Sequence, residues 1–159
     1  MRFVLAAIAA LALAMPAMAQ AIWGYYENAR YAYGIDIPPG FEGQGESTNG
    51  DGQVFLFDGR VARLTVWGGY FVTEPDFESE AHARLAEDTG AGWGLTAQST
   101  TPTWATWSAT KSGRVLHQRM IALCDGQSYA ALRLDYAQSD RPKLDPLVDQ
   151  LTASLVAIC

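Results

Sequence analysis

The 159-residue chain carries 11 Lys and Arg against 17 Asp and Glu, for a formal charge of −6. With 49% apolar and 18% charged residues it is too apolar to be disordered, and its acidity argues against nucleic-acid phosphate or anionic lipid as a partner. Two His and two Cys exclude a rich transition-metal site.

In chain order, the first element is an export signal over residues 1–19. Arg2 is its positive start, Phe3 to Met15 is a 13-residue apolar run, and Pro16 breaks it. Ala17 and Ala19 then present small side chains to a peptidase cutting before Gln20. The run is too short to span hydrocarbon comfortably, which takes about 20 residues. Residues 20–159 are therefore expected as one periplasmic or secreted domain, with no membrane insertion after signal cleavage.

Tyr31 to Ile37 alternates apolar and small or polar residues, which predicts a strand stopped by Pro38. Pro38 to Gly52 holds five Gly and two Pro and is expected as a loop. Gln53 to Phe57 and Arg60 to Tyr70 follow as strands, joined by a two-residue Asp58-Gly59 hairpin turn. Thr73, Pro75 and the acids beside them open a helix whose stripe is Phe77, Ala81 and Leu85, stopped by Gly90. Four further strands are predicted at Leu95 to Thr101, Trp104 to Lys111, Val115 to Cys124 and Gln127 to Tyr136. Ser112-Gly113 and Asp125-Gly126 supply hairpin turns between the last three. Pro142 to Ile158 then puts Leu144, Leu147, Val148, Leu151, Leu155 and Ile158 on one helical face. Consecutive strands joined by tight turns pair antiparallel, and helices must cover the apolar face. The fold class is α+β: an antiparallel sheet of about six to seven strands flanked by helices, an α/β/α sandwich.

Cys124 and Cys159 are the only cysteines. In an oxidising compartment an even count favours a disulfide. It would close a loop of about 36 residues, contribute roughly 3–4 kcal/mol, and pin the C-terminal helix to the sheet.

Several segments resemble the PsbP-like superfamily. The run Tyr26-Glu27-Asn28-Ala29-Arg30-Tyr31-Ala32-Tyr33-Gly34-Ile35-Asp36-Ile37-Pro38-Pro39-Gly40-Phe41 is similar to the aromatic-rich opening strand of that group, which ends in Pro and a bulky residue. Ser47 to Gly52, Phe55 and Asp58 to Leu64 resemble its exported bacterial members, as does the order of elements. The superfamily unites lumenal subunits of the photosynthetic oxygen-evolving complex with a nuclear-import factor that binds the Ran GTPase. The resemblance implies an antiparallel sheet between helices, and a binding or assembly protein rather than an enzyme. The Ran-binding surface does not carry over, because an exported protein does not meet that partner.

The inventory of chemistry is sparse. His82 lies mid-helix and His117 on a strand beside Arg119; each reads as a structural imidazole, because no nucleophile or acid converges on it in sequence. No nucleophile elbow, P-loop or zinc-protease motif is present. Glu78 with Glu80, and Glu87 with Asp88, read as a solvated helix face rather than a glycosidase pair. Ser47, Asn49, Asp51, Gly52 and Asp58 occupy positions 1, 3, 5, 6 and 12 of a calcium-loop pattern, so Asn49, Asp51 and Asp58 are candidate metal ligands. Ser at the first position and Asp at the last depart from that pattern, and strands rather than helices flank it. A polar turn is the favoured reading, and any calcium site would be weak, with Kd about 10⁻⁴–10⁻³ M. No other cofactor is expected. Trp67 and Trp107 read as core. Trp93, between Gly92 and Gly94, is the candidate partner contact. Arg63, Arg119 and Arg133, with Asp135, either stripe one sheet face or pair with acids beneath a helix.

These readings point to a non-catalytic exported binding or assembly module with a protein partner. One alternative is a binding protein for a small ligand: sugar, lipid or weak Ca²⁺. Another is a hydrolase with an unfamiliar site.

Overall fold

Seven strands build the central sheet; inner strands alternate buried and more exposed side chains, while the two edge strands do not. In the computed structural model, which describes residues 22–159, these strands are all antiparallel, in the order β3-β4-β5-β9-β8-β7-β6. They are β3 Phe41–Glu46, β4 Gly52–Phe57, β5 Ala62–Tyr70, β6 Gly94–Thr100, β7 Trp104–Lys111, β8 Arg114–Ala122 and β9 Ser128–Ala137. A second sheet joins β1 Gly24–Asn28, β2 Tyr33–Ile37 and β10 Val156–Ala157 in the order β1-β2-β10. The two α-helices among the described residues are α1 Phe77–Gly90 and α2 Arg141–Ser154. The export segment expected at residues 1–19 lies outside the described residues. No described helix is long and apolar enough to cross a membrane.

The layers follow from side-chain parity, because alternate strand residues face opposite sides. One face of the large sheet presents Leu64, Val66, Leu132, Leu134 and Tyr136 to α2 and to β2, which contribute Leu144, Leu151, Tyr33 and Ile35. The other face presents Trp107, Met120, Tyr129 and Ala131 to α1, which contributes Phe77 and Ala81. The architecture is the expected α+β sandwich, with the small sheet filling part of the layer that holds α2.

Four local expectations need correction. Phe41 to Glu46, within the stretch read as loop, is a strand paired with β4 and bulged between Gly43 and Glu46. The turn at Asp58-Gly59 does use left-handed backbone at both residues, φ 43° and 63°, but the connection runs through a 3₁₀ turn, so Phe57 pairs with Ala62. Helix α1 is capped by Asp76, whose side chain accepts from the Ser79 N–H at 2.8 Å, rather than by Thr73. The helix ends at Gly90 as expected, and the left-handed residue just beyond it is Gly92. The C-terminal helix ends at Ser154, and Val156 and Ala157 leave it to pair with Gly34 and Tyr33.

Close backbone approach explains Gly68, where an added Cβ would stand 2.4 Å from the Tyr31 ring. Cys124 and Cys159 lie at disulfide distance, Cα to Cα 6.0 Å. The bridge holds the segment after α2, not the helix itself.

Candidate functional site

Helix α1 covers only part of its face of the large sheet. Phe77 and Ala81 pack on Trp107, Met120, Tyr129 and Ala131. Two residues further along β9 on the same face stand Arg133 and then Asp135. Register carries this uncovered region across neighbouring strands: Thr65 lies opposite Arg133 and Val54, and Arg63 opposite Asp135 and Leu56. On the other side, Gln118 lies opposite both Arg133 and Trp107.

The uncovered region forms a trough of adjoining clefts. One of about 210 Å³ is lined by Arg63, Thr65, Arg133 and Asp135. A broader one of about 570 Å³ adds Arg114, Val54, Leu56 and Gln44. A smaller one of about 100 Å³ runs under the end of α1 between Trp67, Asp88, Trp107, Gln118 and Arg133.

Buried polar chemistry holds the α1 end of the trough. Asp88 is only 7% exposed. Its Oδ2 accepts from Trp107 Nε1 at 2.7 Å and its Oδ1 from Arg133 Nη1 at 2.8 Å. The Arg133 guanidinium also lies 5.7 Å from the centre of the Trp93 ring, a cation–π arrangement. Gln118 is 2% exposed, and its Oε1 has no hydrogen-bond partner among the described residues. At the far end, Arg114 Nε donates to Asp135 Oδ1 at 2.8 Å. Arg63 is exposed and makes no ion pair or side-chain hydrogen bond among the described residues.

The arginine stripe is therefore partly as expected: Arg63, Arg133 and Asp135 share a face, and Arg114 joins them. Arg119 does not. It lies one residue from Gln118 in strand parity and so points to the opposite face, its guanidinium 4.5 Å from the centre of the Trp104 ring. Burial lowers its pKa. The reading of α1's acids as a solvated face needs a similar correction. Glu78 and Glu87 are exposed, but Glu80 and Asp88 are buried. Each follows a stripe residue, Phe77 or Leu85, by three positions, which returns it to the inner face. An acid at that spacing was the available signal for Asp88. Trp107 is core, as expected, and Trp67 is half-buried against it. Trp93 is half-buried at the lip of the trough.

Of the calcium-loop residues, Ser47, Asn49 and Asp51 come together and Asp58 does not. Ser47 Oγ donates to Asp51 Oδ1 at 2.6 Å and Asn49 Nδ2 to Asp51 Oδ2 at 2.8 Å, so the turn's own donors occupy both carboxylate oxygens. Asp58 stands at the other end of β4, about 20 Å along the strand. Among the described residues no group of three or more His, Cys, Asp or Glu could hold a metal.

His82 is exposed on α1. His117 belongs to a chain that the sequence reading missed. Its Nδ1 lies 2.8 Å from Ser108 Oγ and its Nε2 3.0 Å from the Tyr136 hydroxyl, which donates to Asp145 of α2. Burial, the largest cause, lowers the His117 pKa, and Arg141 acts in the same direction against the pull of Asp145 and Asp149. A Ser–His contact invites comparison with nucleophilic sites. Ser108, however, sits mid-strand between Ala97 and His117, where backbone N–H groups serve the ladder rather than a developing oxyanion. The chain as built ties α2 to the sheet.

No family model matches the sequence, and no curated protein matches it by sequence. Solved structures do resemble it. PsbP (CyanoP) from the cyanobacterium Synechocystis sp. PCC 6803 aligns with TM-score 0.64 and 14% identity, over 90% of this chain and 96% of that one. The Ran-binding protein Mog1p of Saccharomyces cerevisiae gives TM-score 0.64 and 10% identity, over 86% and 96%. LpqN of Mycobacterium tuberculosis, involved in cell envelope biogenesis, gives 0.53 and 13%, over 80% and 83%. The chain has the fold shared by these proteins, as the resemblance to the PsbP-like superfamily implied.

Proposed function

We propose that this chain is an exported, non-catalytic binding or assembly module that docks a protein partner on the part of its sheet that α1 leaves uncovered. One observation carries the reading: a trough with Trp93 at its lip and several arginines along its floor, where a layered fold would otherwise place covering structure. Tryptophan and arginine are the residue types that dominate binding hot spots. The apolar signal-like run at residues 3–15 and the cysteine pair support export. Mog1p is a Ran-binding protein and LpqN is involved in cell envelope biogenesis, so the same fold serves binding and assembly elsewhere, which is an argument by analogy. A small-ligand role is the second reading. It rests on the cleft of about 570 Å³, a size that ligand sites use.

The test is Trp93→Ala. Truncating a hot-spot tryptophan costs about 2 kcal/mol of binding, so capture of a partner should weaken roughly thirtyfold with little change in Tm. His82→Ala, on the exposed side of α1, should leave capture intact. If Trp93→Ala unfolds the protein, Trp93 is core. If it changes neither quantity, the docking surface lies elsewhere.

A further inference from the structure

Parity gives the small sheet two unlike faces. Tyr33, Ile35 and Ile37 of β2 point into the core, and Tyr26 of β1 packs with them against Tyr33 and Phe55. Tyr25, Glu27, Gly34 and Asp36 therefore point outward. On β10, Ala157 packs on the core and Val156 points outward. Ile158 follows Val156 by two residues, and its N–H still donates to Ala32 O at 2.8 Å, which keeps it on the outer face. The small sheet shares the layer of α2, so this face looks away from the trough.

The outer face is apolar along a strip that crosses its strands. Tyr25, Val156 and Ile158 are 59%, 46% and 38% exposed. They are three of the seven large apolar side chains exposed among the described residues, a grouping that singly scattered exposure does not produce. Gly34 connects them. It pairs with Val156, and a Cβ there would stand 2.0 Å from the Tyr25 hydroxyl. Tyr25 therefore reaches across β2 toward Val156, over a position that glycine leaves open.

Charge selects the occupant. Glu27 lies opposite Gly34 and Asp36 opposite Tyr25, so the two acids stand on one face at diagonal positions, about 7–8 Å apart. Neither carboxylate makes an ion pair or side-chain hydrogen bond among the described residues. A lysine or arginine side chain fits between carboxylates at that spacing, with its methylenes on the apolar strip. A second copy of the chain would bring its own Glu27 and Asp36 against these, in a molecule of charge −6. An anionic membrane meets the same repulsion.

We propose that this face docks a protein partner through a basic, apolar segment, with aliphatic side chains on Tyr25, Val156 and Ile158 and a lysine or arginine between Glu27 and Asp36. It is a second surface, and it does not depend on the trough being occupied.

The experiment titrates the ¹⁵N-labelled protein in its exported form with the acetylated tetrapeptide amide Leu-Lys-Ala-Leu and its Gln counterpart. The Lys peptide should shift the Glu27, Gly34 and Val156 amides and bind about fivefold more tightly than the Gln peptide. That preference should vanish in about 0.5 M salt. Glu27→Gln and Asp36→Asn should each reduce it and together erase it. Glu78→Gln, which removes an exposed acid of α1, should preserve it, as should Trp93→Ala at the trough. Val156→Thr keeps the β-branched shape and should weaken both peptides with Tm nearly unchanged. Equal binding of the two peptides, or a preference that survives the double variant, would overturn the proposal. So would shifts centred on Thr65 and Arg133, or peptide binding unaltered by Val156→Thr. Concentration-dependent shifts of the same amides without peptide would replace the basic partner with a second copy.

Discussion

Arg133 and Asp88, 45 residues apart in sequence, meet at 2.8 Å and fasten the C-terminal turn of α1 to the centre of the sheet. The same carboxylate holds the Trp107 indole N–H. One aspartate therefore compensates a buried donor and a partly buried cation at once.

Asp88→Ala leaves both groups unpaired in a largely dry site. We expect a loss of about 3 kcal/mol, read as a shift in urea midpoint at unchanged m-value. Asp88→Asn keeps an acceptor for Trp107 and should cost less. Equal stability of Asp88→Ala and the parent protein would show that the pair contributes nothing.

The cysteine pair should be oxidised in the exported protein. Thiol labelling of denatured, unreduced protein should find no free Cys. Cys159→Ser should cost about 2–4 kcal/mol, the range for a loop of this size, with sequence separation 35. Two labels per chain would remove the bridge.

Stability should fall as pH drops below about 6.5. Burial lowers the His117 pKa in the folded state, so between the two pKa values the unfolded chain binds more protons. The stabilisation from a neutral His117 is complete above the unfolded value and is lost as pH falls through the folded one. The slope is at most about 1.4 kcal/mol per pH unit. Asp76, Asp125 and Asp145 have lowered pKa values and act in a separate, more acidic window. Urea midpoints at about pH 7.5 and 5.5 isolate the histidine. His117→Gln should flatten this interval, and an unchanged slope would assign the effect to another group.

Calcium should have little effect, because Asp51 already accepts from Ser47 and Asn49 while Asp58 is remote. A large rise in Tm at micromolar Ca²⁺, abolished by Asp51→Ala, would contradict this.

The central strands were legible because each presents one face to a covered core. Trp104 to Lys111 was predicted at its observed bounds, and the turn Ser112-Gly113 has the left-handed backbone its residues demand, φ 48° and 76°. β3 was not legible. Its Phe41 alone is buried, and Glu42 to Glu46 carry glycines and polar residues with no pattern of their own. It becomes a strand because β4 offers an open edge. The C-terminal error has a related cause: Leu155 is buried after α2 ends, so its apolar character counted towards a helical face that stops at Ser154. For the site, the glycines on either side of Trp93 mark it in the sequence, while Gln118 and Arg114 carry no signal until register places them beside Arg133 and Asp135.

The pairing of β10 with β2 has a consequence in time. β1 and β2 can form a hairpin early, since the paired Asn28 and Tyr33 are only five positions apart, but Val156 lies 122 positions beyond its partner Gly34. As the chain is synthesised from its N-terminus, β2 exposes one row of unpaired N–H and C=O groups until Val156 and Ala157 are made. Contacts this distant form slowly, and an open edge invites pairing with another chain in the meantime. The small sheet is therefore completed only when a strand more than a hundred residues further along the chain has been made.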